Sequence, residues 1–331
     1  MKIAIVKISA LGDIVHAMVV LQIIKGFNQE ILIDWIVEER FKELLDLNPD
    51  INKVHLVNIR KARKKKSLFI LIKEIKRIRR FGPYDLVIDL QGLVKSAIIS
   101  RLIPSSITLG FDRLSAREKF SAFFYNQTFN YGYEKNVIER NVSLIQFGLK
   151  MNNNKHKIFN KTPFLYSRNK YVNNHISNTK KNILIVPGAS HKSKCYPISK
   201  LVEFITILDA NFLIIWGNEK EKLLANQISA LSPCVNVCKK LSIDSLISLI
   251  SMVDLVIGPD TGPTHMAWGL NIPSITLFGP TPGYRNTCVT KINKIIESDS
   301  NVNPNKINKK DNSISRIKTK DIVDITNNLL S

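Results

Sequence analysis

Short, continuously apolar runs alternate along the chain with longer segments whose apolar residues recur at helical spacing. Residues 2–8, 31–37, 53–57 and 84–90 are runs of strand length, the pattern of strands covered on both faces. Residues 14–24 and 136–149 read as helices, and Leu68, Ile72, Ile75 and Ile78 mark the apolar side of another. Residues 108–111 are short and extended. A polar, Lys- and Asn-rich stretch at 152–160 reads as an interdomain linker. The alternation then restarts, with strands at 182–186, 212–216, 235–237, 255–257 and 274–278, and helices at 199–208, 242–252, 266–270 and 319–330. Such alternation predicts an α/β chain of two Rossmann-like, doubly wound domains facing across a cleft. The expected boundaries are 1–155 for the first domain and 156–318 for the second. A closing segment, 319–331, is free to pack back on the first domain.

In such sheets the turns leaving the C-terminal ends of the strands carry the ligand residues. The stretch DLVIGPDTGPTHMAWGLNIPSITLFGPTPG (254–283) is strand, turn, helix, strand, and its turn gathers Asp260, Thr261, Thr264 and His265. The helix start there offers N–H groups and partial positive charge to a phosphate, and Gly262 lets backbone approach it. An ordinary polar loop with a Thr cap explains the same residues, so partners elsewhere must decide. Residues 9–13 (Ser-Ala-Leu-Gly-Asp) form a turn of the same design, where Asp13 is either a helix cap or a proton acceptor. After residues 84–90, Asp89, Gln91 and Lys95 are expected to face the crevice. Residues 187–194 (Pro-Gly-Ala-Ser-His-Lys-Ser-Lys) have phosphate-loop character. The carboxylates after strand 212–216 suit ribose hydroxyls.

Charge narrows the partner. The 331 residues carry a formal net charge of +21, which calls for an anionic partner. Between Arg60 and Arg80 the only acid is Glu74, and the helix there is amphipathic, fitting an anionic membrane surface or a polyphosphorylated acceptor. Nucleic acid is disfavoured, because Phe69 is the only aromatic in that run. The aromatics Phe120, Phe123, Phe124 and Tyr125 are expected to be core. Arg117 and Arg140 are either paired anion clamps or surface ion pairs. The four cysteines are scattered, form no metal set, and predict reduced thiols in a cytosolic protein. No apolar run reaches the ~18 residues of a spanning helix, and no secretory leader is visible at the N-terminus, so membrane contact is expected to be peripheral.

The motifs VKISALGDIVHA (6–17), DLQGLVKSA (89–97), SAREKFSAFFYN (115–126), Glu139-Arg140, Lys194 with Tyr196-Pro197, WGNEKEK (216–222) and GPDTGPTHMA (258–267) occur in an order that resembles the bacterial heptosyltransferases of glycosyltransferase family 9. The resemblance implies the GT-B fold and a metal-independent, inverting transfer of L-glycero-D-manno-heptose from ADP-heptose to Kdo of Kdo-lipid A. It requires no cofactor, and places the protein at the cytoplasmic face of the inner membrane. It implies Asp13 as base and Lys194 as the cation neutralising the ADP leaving group. Ser190, Asp260, Thr261, Gly262 and His265 would hold the donor's sugar and diphosphate. Glu221, with Glu219 as alternative, would hold the ribose, and Leu241 would pack on adenine. Arg60, Arg63, Lys64, Gln91, Arg117 and Arg140 would bind the anionic acceptor. Ala189-Ser190, Pro263 and Tyr196 depart from the family pattern. A family-9 relative adding heptose or another sugar to a later core residue, and a sugar-nucleotide epimerase of similar fold, are the alternatives.

Overall fold

Two six-stranded parallel sheets carry the chain, which divides into the units Met1–Lys161 and Thr162–Ser331. The computed structural model describes residues 1–58, 67–152, 160–168, 175–304 and 307–331. The expected linker therefore lies largely outside the described residues.

The first sheet holds β1 (Lys2–Val6), β2 (Leu32–Glu38), β3 (Lys53–Val57), β4 (Tyr84–Asp89), β5 (Ser105–Phe111) and β6 (Gln127–Phe129), in the order β3-β2-β1-β4-β5-β6. β1 is central, with Ile3 in register with Ile33 on one side and Leu86 on the other. Its residues Ile3–Val6 are fully buried, which is why the run is continuously apolar. Helix α1 (Leu11–Phe27) is buried almost all round, so its sequence shows little amphipathic contrast. α2 (Leu68–Ile78) is capped by Ser67, whose hydroxyl accepts from the Ile70 N–H. α3 (Val94–Leu102) and α4 (Val137–Gly148) complete the helices of this unit that matter below.

The second sheet repeats the plan. β7 (Asn182–Ile185), β8 (Asn211–Ile214), β9 (Val235–Val237), β10 (Leu255–Pro259), β11 (Ser274–Phe278) and β12 (Asn293–Glu297) lie in the order β12-β11-β10-β7-β8-β9. Counted from each unit's own first strand, both sheets have the doubly wound order 3-2-1-4-5-6. Helices α5 (Ile198–Ile207), α6 (Glu219–Leu231), α7 (Ile243–Ile250), α8 (Gly262–Gly269), α9 (Gly283–Asn286) and α10 (Thr319–Leu330) follow. The final helix, α10, packs on α5, β10, β11 and β12. Its Ile322 is fully buried in the core with Phe204 and Leu277, so it is part of the second unit.

The strand order reverses between β1 and β4 in one sheet and between β7 and β10 in the other. Ligand residues collect outside the strand ends at such a point. The turns after these four strands carry Asp13, Gln91, Lys194 and Asp260.

Candidate active site

In the second unit, the turn between β10 and α8 is built by close approach. A Cβ on Gly258 would lie 2.6 Å from the Val186 Cβ and 2.9 Å from the Thr264 hydroxyl, so only glycine lets β10 end against the β7 loop. Thr264 is spent on this packing, donating to the Pro259 carbonyl at 3.0 Å. Asp260 is the centre of the site, with its side chain only 10% exposed. One oxygen accepts from the His265 Nε2 at 2.9 Å. The other accepts from the Lys194 Nζ at 2.6 Å, the Thr281 hydroxyl at 2.9 Å and the Asn286 amide at 3.3 Å. Burial alone would raise the Asp260 carboxyl. The His265 hydrogen bond and the Lys194 charge overcome it and hold the group well below the usual carboxylate range. Held this low, the Asp260 carboxylate contributes stability that is lost as the pH falls below the ordinary carboxylate range.

Lys194 also donates to the Asp260 carbonyl at 3.2 Å. These two bonds use two of its three ammonium hydrogens, and the third can serve a phosphate oxygen. Ser190 is exposed in the same loop. Thr261 caps α8 in extended conformation, Gly262 is the first helical residue, and the His265 N–H bonds back to the Thr261 carbonyl. Glu221 folds back over the β7 loop: its carboxylate accepts from the Gly217 N–H and the Asn218 amide, both at 2.7 Å. A Cβ on Gly188 would lie 2.3 Å from the Glu221 Cγ, so the loop runs directly beneath that side chain. Glu219, the alternative, is exposed at the first residue of α6. Leu241 is half-buried in the loop between β9 and α7.

In the first unit, the turn after β1 contains a cis Ser9–Ala10 peptide. Asp13 is exposed in the first turn of α1, and its carboxylate accepts from the Ala10 N–H at 3.1 Å. It thus caps the helix and still faces solvent, so the two readings open in the sequence are compatible. Gln91 supports this turn: its side-chain oxygen accepts from the Ile8 and Ser9 N–H groups at 3.1 and 3.2 Å. Lys95 reaches the Ser9 hydroxyl at 3.3 Å. Asp89 is a correction. It is fully buried and faces no crevice, accepting from Gln91 N, Gly92 N and the Tyr125 hydroxyl. Burial raises its carboxyl despite these bonds.

Arg140 is a second correction. At 5% exposure it offers no face to an anion. Its guanidinium donates to the carbonyls of Ser115, Tyr131 and Gly132 and lies 4.1 Å from the Phe111 ring centroid. What it does is hold the 112–118 turn, on which Arg117 is exposed. Asp112 closes that turn from within, accepting from Leu114 N and Ser115 N. Arg60, Arg63 and Lys64 lie outside the described residues.

Residues 71–315 match the family model described as glycosyltransferase family 9 (heptosyltransferase). The chain belongs to glycosyltransferase family 9. It is 39% identical to lipopolysaccharide heptosyltransferase 1 of Campylobacter coli, over 99% of both chains. It is 27% identical to the Escherichia coli K12 protein of that name, over 86% of this chain and 89% of the relative. The solved structure of E. coli heptosyltransferase WaaC with ADP superposes with a TM-score of 0.81 at 24% identity, covering 99% of this chain and 100% of that one. That likeness shows the fold, the GT-B architecture expected from the sequence.

Two residues of this candidate site were not visible in the sequence. Thr281 and Asn286 follow β11, and both reach Asp260. The signal is topological: β11 is hydrogen-bonded to β10, so their outgoing turns share one sheet edge.

Removing Arg140 takes its hydrogen bonds from the Ser115, Tyr131 and Gly132 carbonyls, of which Gly132 keeps the Lys135 N–H. Arg140→Ala is expected to lose about 3 kcal/mol of stability in urea unfolding, whereas Arg117→Ala leaves the midpoint unchanged. A wild-type midpoint for Arg140→Ala would show that the strut role is wrong.

Proposed function

We propose that the chain transfers L-glycero-D-manno-heptose from ADP-heptose to Kdo of Kdo-lipid A, inverting the anomeric carbon without a metal. The observation that carries this reading is the Asp260–Lys194–His265 cluster at the N-terminus of α8. It joins a carboxylate suited to sugar hydroxyls with a cation and helix N–H groups suited to a diphosphate. The relatives support it: the C. coli protein is named a lipopolysaccharide heptosyltransferase 1, and E. coli WaaC has been solved with ADP and with ADP-2-deoxy-2-fluoro heptose.

The donor occupies the second unit. Its diphosphate takes the remaining N–H of Lys194 and the first-turn N–H groups of Gly262 and Thr264, Pro263 having none to give. Ser190 adds a hydroxyl. Heptose hydroxyls replace Thr281 and Asn286, the neutral donors, on Asp260. Glu221 takes the ribose, and Leu241 lies against the adenine. As the anomeric bond breaks, charge grows on the β-phosphate, where Lys194 and the α8 N-terminus stabilise it. On the acceptor, Asp13 removes the proton of the attacking Kdo hydroxyl. A single displacement has no covalent intermediate, so one base suffices for inversion. Arg117, with Arg60, Arg63 and Lys64, binds acidic groups of the acceptor, while Gln91 and Arg140 hold the turns that present Asp13 and Arg117. A net charge of +21 fits work at the anionic cytoplasmic face of the inner membrane.

The test is transfer from ADP-heptose to purified Kdo-lipid A in EDTA, read by mass. A gain of one heptose is expected. Donor binding without a mass gain would reject this acceptor, and activity that EDTA abolishes would reject metal independence.

A further inference from the structure

We propose that the 3-10 turn at Lys119–Phe124 and the first turn of α2, with α3 between them, form a lipid-docking face that inserts apolar side chains into an anionic bilayer. This rests on the reading that the acceptor is a lipid, and it names which surface meets the membrane.

The aromatic segment expected as core is split by the structure. Tyr125 is buried on Asp89, whereas Phe120 and Phe123 are 72% and 66% exposed. Three residues apart on a 3-10 turn, they project from the same side, with ring centroids 6.2 Å apart. The Arg113 guanidinium lies 5.4 Å from the Phe123 centroid. Leu114, on the preceding turn, is also largely exposed. The 3-10 turn packs on α3, and α3 packs on α2. At the start of α2, Leu68, Phe69 and Ile72 stand exposed, Phe69 at 77%. Along α2, Leu68, Ile72 and Lys76 share one face, so an apolar first turn runs into a cationic one. α3 presents Lys95, Ile98 and Arg101 outward.

Two apolar prongs rimmed by cations are what an interfacial lipid surface requires. Acids on the same elements are already engaged: Glu74 accepts from Asn58 N and Arg77, and Glu118 accepts from Val94 N at 2.7 Å. The remaining charge is of one sign and complements acidic headgroups. Glu118 also ties the 3-10 turn to the start of α3, beside the β4 turn that supports Asp13 through Gln91. A lipid held on this face therefore presents its headgroup at the edge of the sheet that carries the base.

The experiment is sedimentation of the full chain with vesicles of phosphatidylethanolamine and phosphatidylglycerol containing no acceptor. Wild type is expected to bind them better than phosphatidylcholine vesicles, and less well in high salt. Phe120→Ser/Phe123→Ser, at exposed positions, is expected to weaken binding at least about tenfold. Its turnover of a deacylated, water-soluble Kdo acceptor should stay at the wild-type level. Equal vesicle binding by variant and wild type would overturn the proposal, as would a wild type indifferent to phosphatidylglycerol. A variant that instead loses a self-associated form without vesicles would make the face a protein contact and overturn it too. If wild type binds vesicles but does not use the soluble acceptor, the acceptor reading fails while the lipid face stands.

Discussion

Asp13→Asn is expected to lower transfer by about a thousandfold or more while leaving ADP-heptose affinity unchanged. The asparagine keeps an oxygen that can accept from the Ala10 N–H, so α1 starts as before. What it loses is the ability to take a proton. Asp13→Ala removes the cap as well and is expected to add about 1 kcal/mol of destabilisation with no further loss of rate. The separation is sharp because Asp13 and the donor cluster belong to different units of the chain. Calorimetric titration with ADP-heptose and single-turnover transfer, run on both variants, read the two properties independently. Donor affinity that falls with the rate would remove Asp13 from the role of base, and so would an asparagine variant that turns over normally.

The second large effect belongs to Lys194. Lys194→Ala is expected to slow transfer about a hundredfold or more, the scale for removing one charged donor from a developing anion. The substitution also leaves Asp260 with three donors in place of four, so a melting curve must accompany the kinetics. Lys194→Arg keeps the charge paired with Asp260 and should melt near wild type, yet transfer slowly, because its planar fork cannot repeat the ammonium geometry. A folded alanine variant with near wild-type turnover would show that the leaving group is stabilised elsewhere.

Much of this was legible in the chain. β1 and β10 are continuous apolar runs ending in Asp- and Gly-containing turns, and such runs have one good home, the middle of a parallel sheet. Their C-terminal turns follow at once, which is why Asp13 and Asp260 could be named, while Lys194 was named from the 187–194 loop and the family resemblance. Two of the four edge strands hid better. β6 is three residues long, and β12, Asn-Lys-Ile-Ile-Glu, mixes polar and apolar positions because it is covered less completely. Side-chain direction was not legible at all. Phe120 and Tyr125 have the same character in sequence but lie on opposite sides of one turn, and Arg140 reads as a surface cation although its donors are spent on backbone carbonyls. Thr281 and Asn286 were missed for a third reason: their nearness to Asp260 is created by strand pairing, which local composition does not encode.

The pairing of Lys194 with Asp260 has a consequence for the reaction cycle. In a protein so rich in positive charge, an isolated ammonium beside a helix start would trap any passing phosphate. Here the ammonium already has a counter-ion and one N–H left to give, so on the proposed reading a stray anion meets a cation already largely neutralised, whereas an ADP-sugar adds hydroxyls for the carboxylate to its diphosphate. Once the sugar has departed, its hydroxyl contacts to the carboxylate are gone and the nucleotide keeps only its own contacts, to a cation still shared with Asp260. On the proposed reading, the same contact weakens the hold on stray anions and on spent ADP alike.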